Sequence, residues 1–118
     1  MFQLLPEQVR VLNRISMEQF LERMAKHLKQ GFPSHVKSMD DAQLRVLIES
    51  GMKRAASYGI EFEHDIQGFL EYVVVYGLDF GATPKTKWAA GILNDEDLDG
   101  EQKIELLEQQ AMFVPRKN

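Results

Sequence analysis

The segment from Glu49 to Gly81 limits the possible folds of this chain more than any other part of the sequence. Within it, apolar residues recur at spacings of three and four positions, at Ile66, Phe69, Leu70, Val73 and Val74. Residues at these spacings line one face of an α-helix, so the pattern predicts a helix whose apolar face packs on a core. Because glycines precede and follow it, we expect this helix to span about residues 63–76. Val75 and Tyr76 extend its apolar surface, so we expect it to be the most buried helix.

Helices are also predicted on both sides of this central segment. The first begins near Pro6, because proline fits the first turn of a helix, and ends at about Gln30 before Gly31. Ser16 and Gln19 resemble a capping box, so this region forms either one helix or two that break near Ser16, and we favour one. The other predicted helices have these starts and ends: Asp40 or Asp41 to Tyr58, Thr83-Pro84 to Leu93, and Asp99 to Phe113.

The segments between these helices are predicted to be loops. They are Phe32–Met39, Ile60–Glu63, Leu78–Thr83 and the acidic turn Asn94–Gly100. Phe80 is expected to fold back onto the core, and four methionines are expected to fill gaps in it: Met17, Met24, Met52 and Met112. The sequence therefore predicts one all-α domain over residues 1–118. We expect an irregular bundle of four to five helices, with a frayed tail at about residues 115–118.

The composition excludes several classes of protein. The chain has no cysteine, which rules out disulfide bonds, thiolate zinc sites and a cysteine nucleophile, and fits a reducing compartment. No apolar run approaches the ~20 residues that a membrane span needs. The first residues also lack the basic start and long apolar block of a secretory signal. We therefore expect a cytoplasmic protein with no membrane partner.

Charge is distributed unevenly along the chain. Residues 1–60 contain nine Lys and Arg against six Asp and Glu, whereas residues 61–108 contain three Lys against twelve Asp and Glu. An acidic half would repel phosphates, so nucleic-acid binding is not expected. The acidic half forms either ordinary solvated helix faces or a surface that attracts a basic protein partner.

Two acidic clusters in this half are expected to be exposed. They comprise Glu61, Glu63 and Asp65 in one segment, and Asp95, Glu96, Asp97 and Asp99 in the other. A carboxylate at a helix N-terminus gains about 0.3–1 kcal/mol from the helix dipole, but this explains only one or two acids per helix. The excess makes these residues candidates for binding a protein partner: Asp95, Glu96, Asp97, Glu61 and Glu63.

The acidic turn also matches the first half of a calcium-binding EF-hand loop, at Asp95, Asp97, Asp99 and Gly100. The twelfth position of such a loop should be a bidentate Glu and is Leu106, so a helix-capping turn is the preferred interpretation. One Glu-x-x-His pair, Glu61 and His64, is half of what a di-iron helix bundle requires. We therefore expect no metal and no other cofactor.

Catalytic signatures are missing from the sequence. His27 is expected on a solvated face and His35 in a loop, neither with a recognisable catalytic partner. Gly77 and Gly81 are not followed by the Lys-Ser/Thr of a phosphate-binding loop. The aromatic residues either anchor a protein interface or border the core, and the second is preferred for Tyr72, Tyr76 and Trp88. We expect a protein that is not an enzyme, although a small enzyme is a hypothesis that screening for hydrolase activities would test.

Several local strings carry a resemblance to a known family. They are Phe20-Leu21-Glu22-Arg23-Met24, His27-Leu28, Phe32-Pro33, Arg54-Ala55, Tyr58-Gly59-Ile60 and Trp88-Ala89-Ala90-Gly91-Ile92-Leu93. With the order of the helices, they make the chain similar, over about residues 5–112, to small helical bacterial proteins encoded beside effectors of the type VI secretion system. The resemblance implies a cytoplasmic accessory or chaperone-like protein that helps to fold, stabilise or load a secreted effector. It implies no site residues.

An immunity protein, which neutralises a toxin by covering its active site, is the alternative function. An acidic surface suits this role when the toxin is basic, as nucleases are. Both functions require a protein partner, a secreted effector or a toxin, and the sequence leaves a homo-oligomer open.

Overall fold

The computed structural model of this chain describes residues 14–113, with side-chain environments from residue 17 onward. Within that range the helices are α1 Arg14–Gly31, α2 Pro33–Val36, α3 Asp41–Ser57, α4 Glu63–Tyr76, α5 Lys87–Leu93 and α6 Gly100–Ala111. A short 3-10 helix, Pro84–Thr86, directly precedes α5, and residues 14–113 contain no strand. The predicted all-α class is confirmed.

The N-terminal part of the described chain corrects two expectations. Helix α1 continues without a break through Ser16 and Gln19, so the capping box predicted there is wrong and the single helix is confirmed from Arg14. The expected start near Pro6 and the expected frayed tail lie outside the described residues. The predicted loop after α1 contains the one-turn helix α2, which begins at Pro33, because the fixed φ of proline suits a first helical position.

Local capping chemistry sets the helix starts, as the sequence predicts. The carboxylate of Asp40 accepts a 2.7 Å hydrogen bond from the Gln43 amide at the start of α3. At the start of α6, the carboxylate of Asp99 accepts a 2.8 Å hydrogen bond from the Gln102 amide. The side chain of Thr83 caps the 3-10 helix in the same way. These reciprocal caps satisfy backbone donors that have no partner inside the helix.

Helix ends also follow the predicted glycines. Gly59 has a φ of +79°, and the next amide, that of Ile60, donates to the carbonyl of Ala55 at 2.9 Å. Gly77 ends α4 with a φ of +106°. A residue with a side chain rarely adopts these backbone angles, so both ends depend on glycine.

Helix α4 is the centre of the bundle, as predicted, and packs against α1, α2, α3 and α6. Phe69, Leu70 and Val73 on its inner face are at most 1% exposed. Helix α3 approaches it closely at Gly51, where an added Cβ would lie 2.5 Å from Leu70 Cδ2. The small residue therefore permits the close packing of these two helices.

An aromatic cluster covers the end of α4 around Phe80, which is fully buried as predicted. The Phe80 ring contacts those of Tyr72, Tyr76 and Trp88, with centroids 5.1–5.8 Å apart. These three aromatics are partly buried against the core, which confirms the preferred interpretation. Met112 is 79% exposed because α6 ends at Ala111, so its predicted core position is wrong.

Candidate functional site

The two acidic segments of the sequence meet where α6 begins. At Gly100, the first residue of α6, an added Cβ would lie 3.1 Å from Ile60 Cα, 3.2 Å from the Gly59 carbonyl oxygen and 3.6 Å from Asp65 Oδ2. Two of these neighbours are backbone atoms that cannot move aside. A glycine at this position therefore brings the N-terminus of α6 against the connector that leads into α4.

Lys103 lies beneath this junction, with 4% of its surface exposed. Its ammonium donates hydrogen bonds to the carbonyl oxygens of Tyr58, at 2.5 Å, and Leu93, at 2.7 Å. Burial lowers the pKa of Lys103, while the nearby carboxylates of Asp95 and Glu96 oppose that shift. A buried cation therefore holds the ends of α3 and α5 together below the acidic turn.

Asp65, in the first turn of α4, is the second buried charge and is 4% exposed. Burial raises the pKa of its carboxyl group, and the carboxylates of Glu101, Asp99 and Glu105 raise it further. His64, next to it in the chain, lowers the pKa of Asp65. The expectation that Asp65 is exposed is wrong, because α6 packs over the start of α4.

We call the surface around this junction the acidic end, and define it by Asp65, Asp95, Glu96, Asp97, Asp99, Glu101 and Glu105. All of these side chains except Asp65 are exposed. The carboxylate of Asp95 accepts a 2.9 Å hydrogen bond from the Asp97 amide, which fixes the turn. The structure thus places Asp95, Glu96 and Asp97 in one exposed turn and brings other carboxylates beside it.

Glu61 and Glu63, the two other predicted binding residues, lie outside this exposed turn. Glu63 is exposed but forms a 2.7 Å ion pair with Arg23. Glu61 is partly buried, and its Oε1 atom is fully enclosed with no hydrogen-bond partner in the described part of the chain. The prediction that Glu61 is an exposed acid is therefore wrong.

The ion pairs of the described residues show how the acidic end differs from the rest of the surface. Within residues 17–113 they join Arg23 to Glu63, His27 to Glu71, Lys29 to Asp41, and Arg45 to both Glu18 and Glu49. All of these pairs lie on α1, α3 and α4. The carboxylates of the acidic end form no ion pair with any described residue. Lys103 lies near Asp95 and Glu96, but its buried ammonium donates to backbone carbonyls.

A shallow polar groove between α1 and α4, of about 380 Å³, is the second candidate. His27 and Glu71 interact across these two helices at 2.7 Å, and the His27 side chain, expected on a solvated face, stays 36% exposed. A paired imidazole and carboxylate could act as a general base, but the groove contains no hydroxyl or amine nucleophile: its lining is Arg23, Met24, His27, Glu63, His64 and Gln67. We interpret the groove as the seam of the α1–α4 ion pairs.

Metal binding has no support in the geometry of the described residues. No group of three or more His, Cys, Asp or Glu side chains in residues 17–113 is arranged to hold a metal ion. The carboxylates of the acidic turn therefore do not converge as those of an EF-hand loop do. No helix in the described part of the chain combines the length and apolarity needed to cross a membrane.

The burial of Lys103 and Asp65 is the main feature that the sequence interpretation missed. Lys103 lies one position before Ile104 and four before Leu107, on the apolar stripe of α6. Asp65 likewise precedes Ile66 and lies four positions before Phe69 on α4. A charged residue in the register of an apolar stripe is the signal that could have revealed both.

Comparison with protein-family models, with curated proteins and with solved structures gave no match to this chain. The resemblance to proteins encoded beside type VI secretion effectors therefore stays a prediction.

Proposed function

We propose that this chain is a protein-binding module that attracts a basic partner through its acidic end. The observation that supports this most strongly is that the exposed carboxylates there form no ion pair with any described residue, whereas Glu18, Asp41, Glu49, Glu63 and Glu71 on α1, α3 and α4 do. The nearby ammonium of Lys103 is buried and donates its hydrogen bonds to backbone carbonyls. Exposed carboxylates that repel one another are relieved when a basic surface approaches them. Such a surface increases the rate of association with a basic partner more than it increases the affinity.

The partner that we propose is a secreted effector of the type VI system, for which the chain acts in the cytoplasm as an accessory or chaperone-like factor. Support for this more specific role comes from the resemblance over about residues 5–112. The small size of the domain suits a factor that occupies part of an effector's surface and leaves the effector free to be loaded.

An immunity protein is the alternative, and the same acidic end favours it when the toxin is a nuclease. A nuclease has a basic active site because it binds phosphates, and the acidic end would compete with its substrate. The two functions predict opposite effects on the partner's activity.

Co-expression with each secreted protein encoded beside this chain's gene distinguishes them. An accessory factor increases the soluble yield or delivery of its effector and leaves the effector active. An immunity protein abolishes toxin activity in stoichiometric mixtures. If none of these proteins forms a complex with the chain in gel filtration, both functions are contradicted.

A further inference from the structure

Asp65 is a buried carboxylate that lacks the partners such a group normally has. It is 4% exposed, and it forms no hydrogen bond or ion pair with any residue of the described chain. Buried carboxylates are usually hydrogen-bonded or paired, because an ionised group loses hydration when it is buried. The unmet interactions of Asp65 therefore require an explanation beyond the packing of α4.

Access to this carboxylate is narrow but open. The unpartnered polar atoms that are fully enclosed in the described residues are Glu61 Oε1 and Trp88 Nε1, and the oxygens of Asp65 are not among them. Asp65 Oδ2 lies against the first residue of α6, with the carboxylates of Asp99 and Glu101 in the same region. Asp65 Oδ2 therefore faces the start of α6, beside the exposed acids of the acidic end.

The charged groups around Asp65 favour a cation. Its own helix contributes His64, the turn before α6 contributes Asp99, and α6 contributes Glu101 and Glu105. Three carboxylates thus act on Asp65 against one imidazole. A positive group at this position would be attracted by four acidic side chains at once.

The spacing of these acids favours an organic cation over a metal ion. A metal needs ligand oxygens at about 2.0–2.6 Å from one point, and no described group of acids is arranged in that way. A guanidinium is larger and has five N–H donors in one plane, so it can reach carboxylates that do not converge.

We propose that Asp65 is the anchor of a subsite for an arginine side chain of the basic partner, with Asp99, Glu101 and Glu105 around it. This inference rests on the proposed function, because it identifies the chemistry of the partner at the acidic end. A bound guanidinium favours the ionised form of Asp65, so arginine binding lowers the pKa of its carboxyl group.

The test is an NMR titration of the full chain with the peptide acetyl-Gly-Arg-Gly-amide. A citrulline peptide of the same sequence is the control ligand, because citrulline keeps the shape of arginine without its charge. We expect saturable shifts of the amide signals of residues 62–66 and 99–101 with the arginine peptide, and binding about tenfold weaker or absent with citrulline. The pKa of the Asp65 carboxyl, followed by its carbon-13 shift, should fall when the arginine peptide is bound.

Two variants make the assignment specific. Asp65→Asn should weaken binding of the arginine peptide about tenfold. Asp79→Asn, which removes the same charge from an exposed residue past the other end of α4, should leave binding unchanged. If Asp65→Asn fails to fold, the fall in the Asp65 pKa of the wild-type chain still decides the question.

Equal shifts with the two peptides, unchanged binding in Asp65→Asn, or no saturable shift would overturn the inference. So would displacement of the arginine peptide by calcium chloride at matched ionic strength, which would assign the subsite to a metal ion. Because the partner takes no part in this titration, its failure leaves the proposed function intact. The proposed function is tested separately: it fails if neutralising the exposed acidic turn does not change the rate of association with the partner.

Discussion

The ammonium of Lys103 donates a 2.7 Å hydrogen bond to the carbonyl oxygen of Leu93, the last residue of α5. It also donates to the carbonyl of Tyr58, at the end of α3. The C-terminus of a helix carries a partial negative charge, so a single cation stabilises two helix ends and fixes α6 between them. The acidic turn is thus attached to the fold by a buried charge on the helix that follows it.

Replacing Lys103 with methionine should destabilise the protein by about 2–4 kcal/mol. The methionine keeps much of the side-chain volume but leaves one buried and one partly buried carbonyl without their charged donor. Lys53→Met, at an exposed position on α3, is the matched control and should change stability by less than about 0.5 kcal/mol. Urea unfolding monitored by circular dichroism measures both, and equal stability of the two variants would refute the role of Lys103.

Replacing Gly100 with alanine should destabilise the protein by about 1–3 kcal/mol, because the new Cβ would press on the backbone at Ile60 and Gly59. Gly91→Ala is the control. Gly91 lies inside α5 with no atom within 4 Å of an added Cβ, so alanine there should stabilise by about 0.5–1 kcal/mol. Thermal unfolding of both variants tests whether their changes in stability have opposite signs.

Phe80→Ala should destabilise the protein by about 3–5 kcal/mol, because Phe80 is fully buried within the aromatic cluster. Phe62→Ala removes the same side chain from a position that is 59% exposed and should change stability by less than about 1 kcal/mol. Denaturant unfolding compares the two. A small effect at Phe80 would show that this cluster is not part of the core.

The stability difference between Asp65→Asn and the wild type should depend on pH. In the folded state the pKa of Asp65 is raised, mainly by burial, so the folded chain binds this proton more readily than the unfolded chain does. Above the raised pKa the ionised carboxylate destabilises the fold in full. As the pH falls through that pKa towards the unfolded value of about 3.9, this destabilisation is lost.

Asp65→Asn should therefore be more stable than the wild type at about pH 7, and this advantage should shrink as the pH approaches about 4. Free energies of unfolding from urea titrations at several pH values measure the difference. Parallel pH profiles of the two proteins would contradict the raised pKa of Asp65.

Much of the fold could be predicted because its determinants are local in the sequence. The caps at Asp40, Thr83 and Asp99 depend on side chains three residues from the amides they bind, and the ends at Gly59 and Gly77 depend on backbone angles. Helix α2 was missed because one turn is too short to show a helical period.

The features of the candidate site that could not be predicted depend on tertiary packing. Asp65 is buried because α6 begins against it, and Gly100, which permits this, lies 35 positions later in the chain. His27 pairs with Glu71 across 44 positions, and no local pattern reports such a separation. The exposed turn of Asp95, Glu96 and Asp97 could be predicted, because a turn between two capped helices is solvated whatever packs beneath it.

The central claim is that the acidic end attracts a basic protein partner. The variant Asp95→Asn, Glu96→Gln, Asp97→Asn removes three exposed charges and leaves the Asp99 cap intact, so folding should be preserved. A control with the same charge change elsewhere is Glu22→Gln, Asp79→Asn, Glu108→Gln, all at exposed positions. Each variant is tested against the partner identified by co-expression.

Stopped-flow association at low and at physiological salt is the most direct measurement. The acidic-turn variant should associate about tenfold more slowly than the wild type at low salt, and the control variant should not. The difference should narrow at physiological salt, where exposed charges are screened beyond about 8 Å. An association rate of the acidic-turn variant equal to that of the control at both salt concentrations would contradict the claim.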